Sequence, residues 1–128
     1  TRGTTLCHIA RATDEGIAFQ TMDIVNAMRK DAGIDLGDLK VDGGASRDNY
    51  LLQVQADVLG TKVVRPTIVE TTAKGAAYLA GLAVGFWQDI DEIKRQWAID
   101  RVFEPTTDQE RVQQMKDGWA DAIRRALS

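Results

Sequence analysis

Cys7 and His8 are the single cysteine and the single histidine of this 128-residue chain, and they are adjacent. A thiol beside an imidazole could be a nucleophile and its base, but neighbours on a helix point about 100° apart and cannot share a proton. Both are therefore expected to be structural or surface groups. One Cys and one His also exclude an internal disulfide, a Cys/His zinc site and a triad needing a second histidine. The 19 Asp and Glu residues show no spacing that selects a pair for general acid and base work. Asp42, closing a short β-rich run, and Glu70, just ahead of a helical pattern, stand where functional acids occur in α/β proteins. Each is equally well placed as a turn residue or a partner of a helix dipole.

The segment richest in chemical possibility is Val41-Asp42-Gly43-Gly44-Ala45-Ser46-Arg47-Asp48-Asn49, a strand running through a double glycine into a helix. Two glycines permit unusual backbone angles and remove side chains, so a flat ligand can lie against bare backbone at a helix N-terminus. The run is neither a dinucleotide-binding GxGxxG nor a phosphate-binding P-loop. On spacing alone, a plain strand-to-helix turn remains open beside a ligand cradle.

The elements that position this turn follow from periodicity. Between His8 and Lys30, positions Ile9, Thr13, Ile17, Gln20, Ile24 and Met28 recur at helical spacing and predict one long amphipathic helix, stopped by Gly33. A polar linker, Asp35 to Asp38, leads into a strand at Leu39-Lys40-Val41. Ser46 or Asp48 then caps a helix bearing Leu51, Leu52, Gln55, Val58 and Leu59 and ending at Gly60. Lys62 to Arg65 reads as a second strand, stopped by Pro66 and parallel to the first. Thr71 or Thr72 caps a helix running to Phe86, whose Ala77, Gly81 and Gly85 fall four apart. Interior glycine costs about 1 kcal/mol, so that bare face predicts a buried helix approached closely by another element. Asp89 with Glu92, and Thr107 with Glu110, have capping-box spacing. The second pair opens a helix with Val112, Met115, Trp119, Ile123 and Leu127 on one face, after a possible edge strand from Ile99 to Phe103.

Composition fits one α/β core: 44% of residues are apolar, 27% charged and only 2 are proline. Sixteen basic residues against 19 acidic ones give a net charge of −3, and the cations are dispersed, which argues against a nucleic-acid binder. The Gly- and Ala-rich run from Gly75 to Trp87 is shorter than the about 20 apolar residues of a membrane span. Near-absence of cysteine points to a reducing, cytoplasmic setting. The chain opens at Thr1, close to a helix, and two or three strands are few for so many helices. Both features suggest a clipped piece of a larger domain.

Taken together, Val41-Asp42-Gly43-Gly44-Ala45-Ser46, Leu52 to Gly60, Val64-Arg65-Pro66 and Glu70 to Trp87 resemble the FGGY carbohydrate kinases, and among them the glycerol kinases. Thr1-Arg2-Gly3 followed by His8 to Thr13 resembles a second signature of the same family, so the likeness runs nearly the whole chain. The resemblance implies part of a ribonuclease H-like, actin-like ATPase domain, with a short, mainly parallel sheet flanked by several helices. Residues 1–128 would be the C-terminal part of the second kinase domain, without the first domain or the phosphate loops. The family transfers the γ-phosphoryl group of ATP, with Mg2+, to the terminal hydroxyl of glycerol, giving glycerol 3-phosphate.

By the same resemblance, this part supplies the adenosine side, with Gly43, Gly44, Asp48 and Asn49 as nucleotide-binding residues. It holds no catalytic residue and no metal ligand, and alone it would be inactive. Asp48 stands where the family usually has Asn; an ionised Asp can accept from the adenine amino group but cannot donate. Asp14 and Lys74 replace residues that are usually apolar, either compensating each other across two helices or each lying exposed. Exposed apolar surface would favour self-association, hence a homo-oligomer. The alternatives are a free-standing nucleotide-binding or interaction module without catalysis, and a kinase of another polyol or sugar.

Overall fold

The computed structural model describes residues 1–33, 35 and 37–128. In chain order the elements are α1 (Leu6–Ala32), β1 (Leu39–Lys40), a 3-10 turn (Gly44–Arg47), α2 (Asn49–Leu59), β2 (Val63–Pro66), α3 (Thr71–Ala83), α4 (Ile90–Arg95), β3 (Ile99–Phe103) and α5 (Gln109–Ala126). The linker expected over Asp35–Asp38 lies partly outside the described residues. Gly33 and Gly60 end α1 and α2 as read from the sequence.

The strand–helix–strand unit is parallel, with Leu39 opposite Val63 and Lys40 opposite Val64. The third strand runs the other way, pairing Val63 with Phe103 and Val64 with Val102. The sheet is therefore mixed rather than mainly parallel, in the order β1-β2-β3. The segment joining β2 to β3, residues 67–98, carries both α3 and α4 and returns the chain antiparallel to β2, so chain length alone did not decide the direction of the third strand.

Helix α2 is the centre of the fold because it is apolar on two sides. Leu51, Val54, Val58 and Leu59 pack on Ala18, Phe19, Met22 and Val25 of α1. Leu52 and Ala56 pack on Val63 and Phe103 of the sheet. Leu52, Val58 and Val63 are almost completely buried, and each such side chain contributes roughly 1.5–3 kcal/mol relative to exposure. Helix α5 closes against α1: Phe19 and Trp119 stack with ring centroids 5.4 Å apart, and the Trp119 indole N–H donates to Asp23 Oδ2 (2.8 Å).

Several expectations are corrected. Ile9, Ile17, Ile24 and Met28, apolar members of the spacing that predicts α1, are exposed, and the neighbouring face carrying Phe19 and Met22 is buried. The helix is apolar on both faces, and it is α2 that selects the second. Helix α3 is not buried: Leu79 is 72% exposed and Gly81 is its single buried residue among those described. The bare backbone at Gly81 is approached not by another element but by the Trp87 ring, which an added Cβ would strike. Gly85 falls beyond the helix.

Glu70 rather than Thr71 or Thr72 is the N-cap residue of α3, and the Thr71 hydroxyl donates to Asp42. Asp108 rather than Thr107 caps α5, because Thr107 is engaged by Asp57. Asp89 caps α4 as expected, accepting from the Glu92 N–H at 2.7 Å. Asp14 and Lys74 do not form a pair: Lys74 Nζ lies over the Tyr78 ring, 5.3 Å from its centroid, and no ion pair joins Lys74 to Asp14. No helix among the described residues is long and apolar enough to cross a membrane.

Candidate functional site

The double glycine forms a tightly stitched turn between β1 and α2. Gly43 has φ 79° and ψ 175°, a region essentially closed to residues with a Cβ. Its N–H donates to the Val69 carbonyl (2.7 Å), and its own carbonyl accepts from the Ser46 hydroxyl (2.7 Å) and the Ser46 N–H (3.2 Å). Ser46 is buried by these contacts and caps nothing. Gly44 differs from Gly43: its φ lies outside the left-handed range, and a Cβ placed there meets no atom within 4 Å. Neither backbone strain nor packing demands glycine at 44, and the space over it is open to a ligand.

Of the two candidate caps, Asp48 starts α2. Its Oδ1 accepts from Tyr50 N–H (2.8 Å) and Leu51 N–H (3.1 Å), which satisfies two of the unpaired donors of the first turn. Asn49 is turned toward the sheet, where its Oδ1 accepts from Arg65 Nη1 at 2.9 Å. The structure thus brings Gly43, Gly44, Asp48 and Asn49 into one turn, with both polar side chains already partnered.

Arg65 is the residue that sequence reasoning missed. Its guanidinium donates to the Ser46 carbonyl (3.0 Å), to Asn49 and, through Nε, to Asp100 Oδ2 (2.7 Å), while lying 5.5 Å from the Phe103 ring centroid. With a side chain only 13% exposed, it ties the turn to β2 and β3 at once. A signal existed: Arg65 follows the buried Val63 by two along a strand, so it shares Val63's inward face. A cavity of about 310 Å³ opens beside it, bounded by Arg47, Arg65, Thr67 and Asp100.

The start of α2 is also fixed to α1. Tyr50 donates to Glu15 Oε1 (2.7 Å), which accepts from Arg11 Nε at 2.7 Å as well. Burial of the phenol, reinforced by that hydrogen bond, pushes its pKa up to about 12. His8 and Cys7 take no part. Nδ1 of His8 accepts from the Thr5 N–H at the start of α1 (3.1 Å), and Cys7 is an exposed free thiol. No cluster of three or more His, Cys, Asp or Glu among the described residues could hold a metal ion.

Residues 1–84 match the model described as "FGGY family of carbohydrate kinases, C-terminal domain". Glycerol kinase 2 of Sulfolobus acidocaldarius is 56% identical over 127 residues, covering 99% of this chain and 26% of its own length. Glycerol kinase 1 of Clostridium tetani is 53% identical over 128 residues, again 26% of its length. Among solved structures, Plasmodium falciparum glycerol kinase with ADP superposes over the whole chain with a TM-score of 0.85 at 36% identity. The xylulose kinase of Lactobacillus acidophilus does so over 99% of it with a TM-score of 0.76 at 26% identity. The chain spans about a quarter of the length of these relatives. With the family model covering more than half of its residues, and with an α/β fold shared with these kinases, the chain belongs to the FGGY family of carbohydrate kinases.

Proposed function

We propose that this chain is the C-terminal part of the second domain of an ATP-dependent glycerol kinase, and that it supplies the adenosine-binding wall. The observation that carries the reading is Gly44: a glycine required neither by backbone angle nor by packing, at the mouth of a rigid turn that opens a helix. A side chain is missing there to the benefit of a ligand. Adenine and ribose lie against the Gly43–Gly44 backbone, and the second carboxylate oxygen of Asp48, to which no hydrogen bond is made among the described residues, accepts from the adenine amino group. Asn49 acts through Arg65 to hold the turn rather than touching the base.

In the whole enzyme the terminal hydroxyl oxygen of glycerol attacks the γ-phosphorus of ATP, the bond to the β-phosphate oxygen breaks, and the hydroxyl proton passes to a carboxylate base. Mg2+ supplies charge neutralisation on the phosphates. The base, the phosphate loops and the glycerol contacts belong to the remainder of the protein, which also covers the apolar stripes left open on α1 and α3. This part alone has no turnover and at most weak ATP affinity, since affinity needs groups from both walls of a cleft. The intact enzyme works in the cytoplasm.

The test joins this chain to the first three quarters of the Sulfolobus acidocaldarius enzyme in place of its own C-terminal part. The expected result is ATP-dependent glycerol phosphorylation by the chimera and none by the chain alone. Gly44→Val should raise the KM for ATP by about tenfold or more, the loss of roughly one good contact, while leaving the KM for glycerol unchanged. Turnover by the isolated chain, or a chimera indifferent to Gly44→Val, would refute the assignment.

A further inference from the structure

On the opposite side of the sheet from α2, helix α3, strand β1 and the segment 90–97 enclose a cavity of about 470 Å³ that shares no wall residue with the Gly43–Asn49 turn. Three lysines, Lys40, Lys74 and Lys94, form part of its wall, and no Asp or Glu does. In a chain of net charge −3, that is a local reversal of sign. Lys94 is paired with Asp91 at 2.8 Å, but Lys40 and Lys74 have no carboxylate within 4 Å. Each lies over an aromatic ring instead, Lys40 Nζ 4.8 Å from the Trp97 centroid and Lys74 Nζ 5.3 Å from that of Tyr78. Asp42, bordering an adjoining depression, accepts from the Thr71 hydroxyl.

The rest of the wall is flat or apolar: the Trp97 and Tyr78 rings and two isoleucines. The Tyr78 hydroxyl is buried and has no hydrogen-bond partner among the described residues. The volume suits a small organic ligand.

We propose that this cavity is a second ligand site, for a small phosphomonoester with a flat apolar body. A phosphate carrying close to two negative charges is matched by the two unpaired ammonium groups, since lysine binds phosphate as a point charge. The rings of Trp97 and Tyr78 flank the body. The site is independent of the adenosine turn, so either assignment can fail without the other.

The probe is phenyl phosphate, followed by 1H–15N spectra of this chain, in which Trp97→Phe identifies the indole signal of Trp97. Saturable shifts are expected at that indole and at the Thr71–Tyr78 amides. Phenol and inorganic phosphate should each bind at least about tenfold more weakly, and Lys40→Gln and Lys74→Gln should each weaken phenyl phosphate by about three- to tenfold, as expected for loss of one charge-assisted contact. Arg124→Gln, on the far end of α5, should change nothing. Retained spectral dispersion in each variant reports that it is folded. The proposal is overturned by shifts that do not saturate, by shifts centred on Gly43–Asn49, by equal binding of phenol, or by folded lysine variants with unchanged affinity.

Discussion

Asp57 is the most heavily bonded carboxylate among the described residues, and its bonds hold the fold together. Its two oxygens accept from the Thr106 N–H, the Thr107 N–H and hydroxyl, and Gln53 Nε2. Burial favours its neutral form, but these hydrogen bonds prevail and hold its pKa below the usual carboxylate value. It therefore fixes the β3–α5 connection onto α2. Because the folded pKa is depressed, the stabilisation is fully present above the unfolded value of about 4 and is lost as pH falls through the folded value. Asp57→Asn keeps the shape but gives up charge and acceptors; it should cost about 1–3 kcal/mol in urea denaturation at pH 7. The gap to the unsubstituted chain should close as the pH is lowered below 4. An undiminished gap at low pH would show that the effect is steric. Tyr50 has the opposite sign: with its pKa raised to about 12, its contribution is complete below the unfolded value of about 10 and fades as pH rises from there toward 12.

At the scale of elements, what could be read from the sequence and what could not separate along one physical line. Local rules gave the ends of α1 and α2, the β–α–β unit and the Asp89 cap, because each depends on residues within a turn of one another. The inward face of α1 was not legible, because Ile9, Ile17, Ile24 and Met28 are as regular as Ala18, Phe19, Met22 and Val25, and periodicity does not say which face meets α2. The glycine turn was legible as a turn. Arg65 was not, because its role exists only once β2 lies beside residues 46–49, sixteen or more positions earlier in the chain. Arg65→Met would keep the stem and remove four hydrogen bonds, to Ser46, Arg47, Asn49 and Asp100, so amide exchange across residues 44–49 should quicken by about tenfold or more. The same variant should lower nucleotide affinity in the intact enzyme. On α3 the glycine signal was real, but its partner is local. Trp87 packs over Gly81 and meets Tyr78 edge to face at 5.0 Å. Gly81→Ala should displace that ring and destabilise by about 1–3 kcal/mol despite the better helix propensity of alanine, with a matching change in tryptophan fluorescence. A neutral or stabilising Gly81→Ala would mean that Trp87 relaxes without cost.

For the molecule as a whole, the distribution of apolar surface is uneven in a way that its composition conceals. The core lies between α1, α2 and the sheet. Leu6, Ile9, Ile17, Ile24 and Met28 along α1, and Leu79, Val84 and Phe86 on and after α3, remain open to water. Scattered exposed apolar residues need no explanation, but five along one helix and three on or just after another are more than scatter. If the chain is, as proposed, part of a protein about four times its length, the remaining chain would cover these residues; in this chain alone they can be covered only by another copy. Sedimentation velocity should therefore show a weight-average mass that rises with concentration. Ile9→Lys with Ile24→Lys, which touches neither the core nor the glycine turn, should return it toward the monomer while leaving the far-UV spectrum unchanged. The same double substitution placed in the Sulfolobus chimera should impair assembly and activity, because there the stripe would be internal. A concentration-independent monomer together with a fully active substituted chimera would remove the stripe from both roles, and would leave its regular spacing on α1 as helix patterning without a partner.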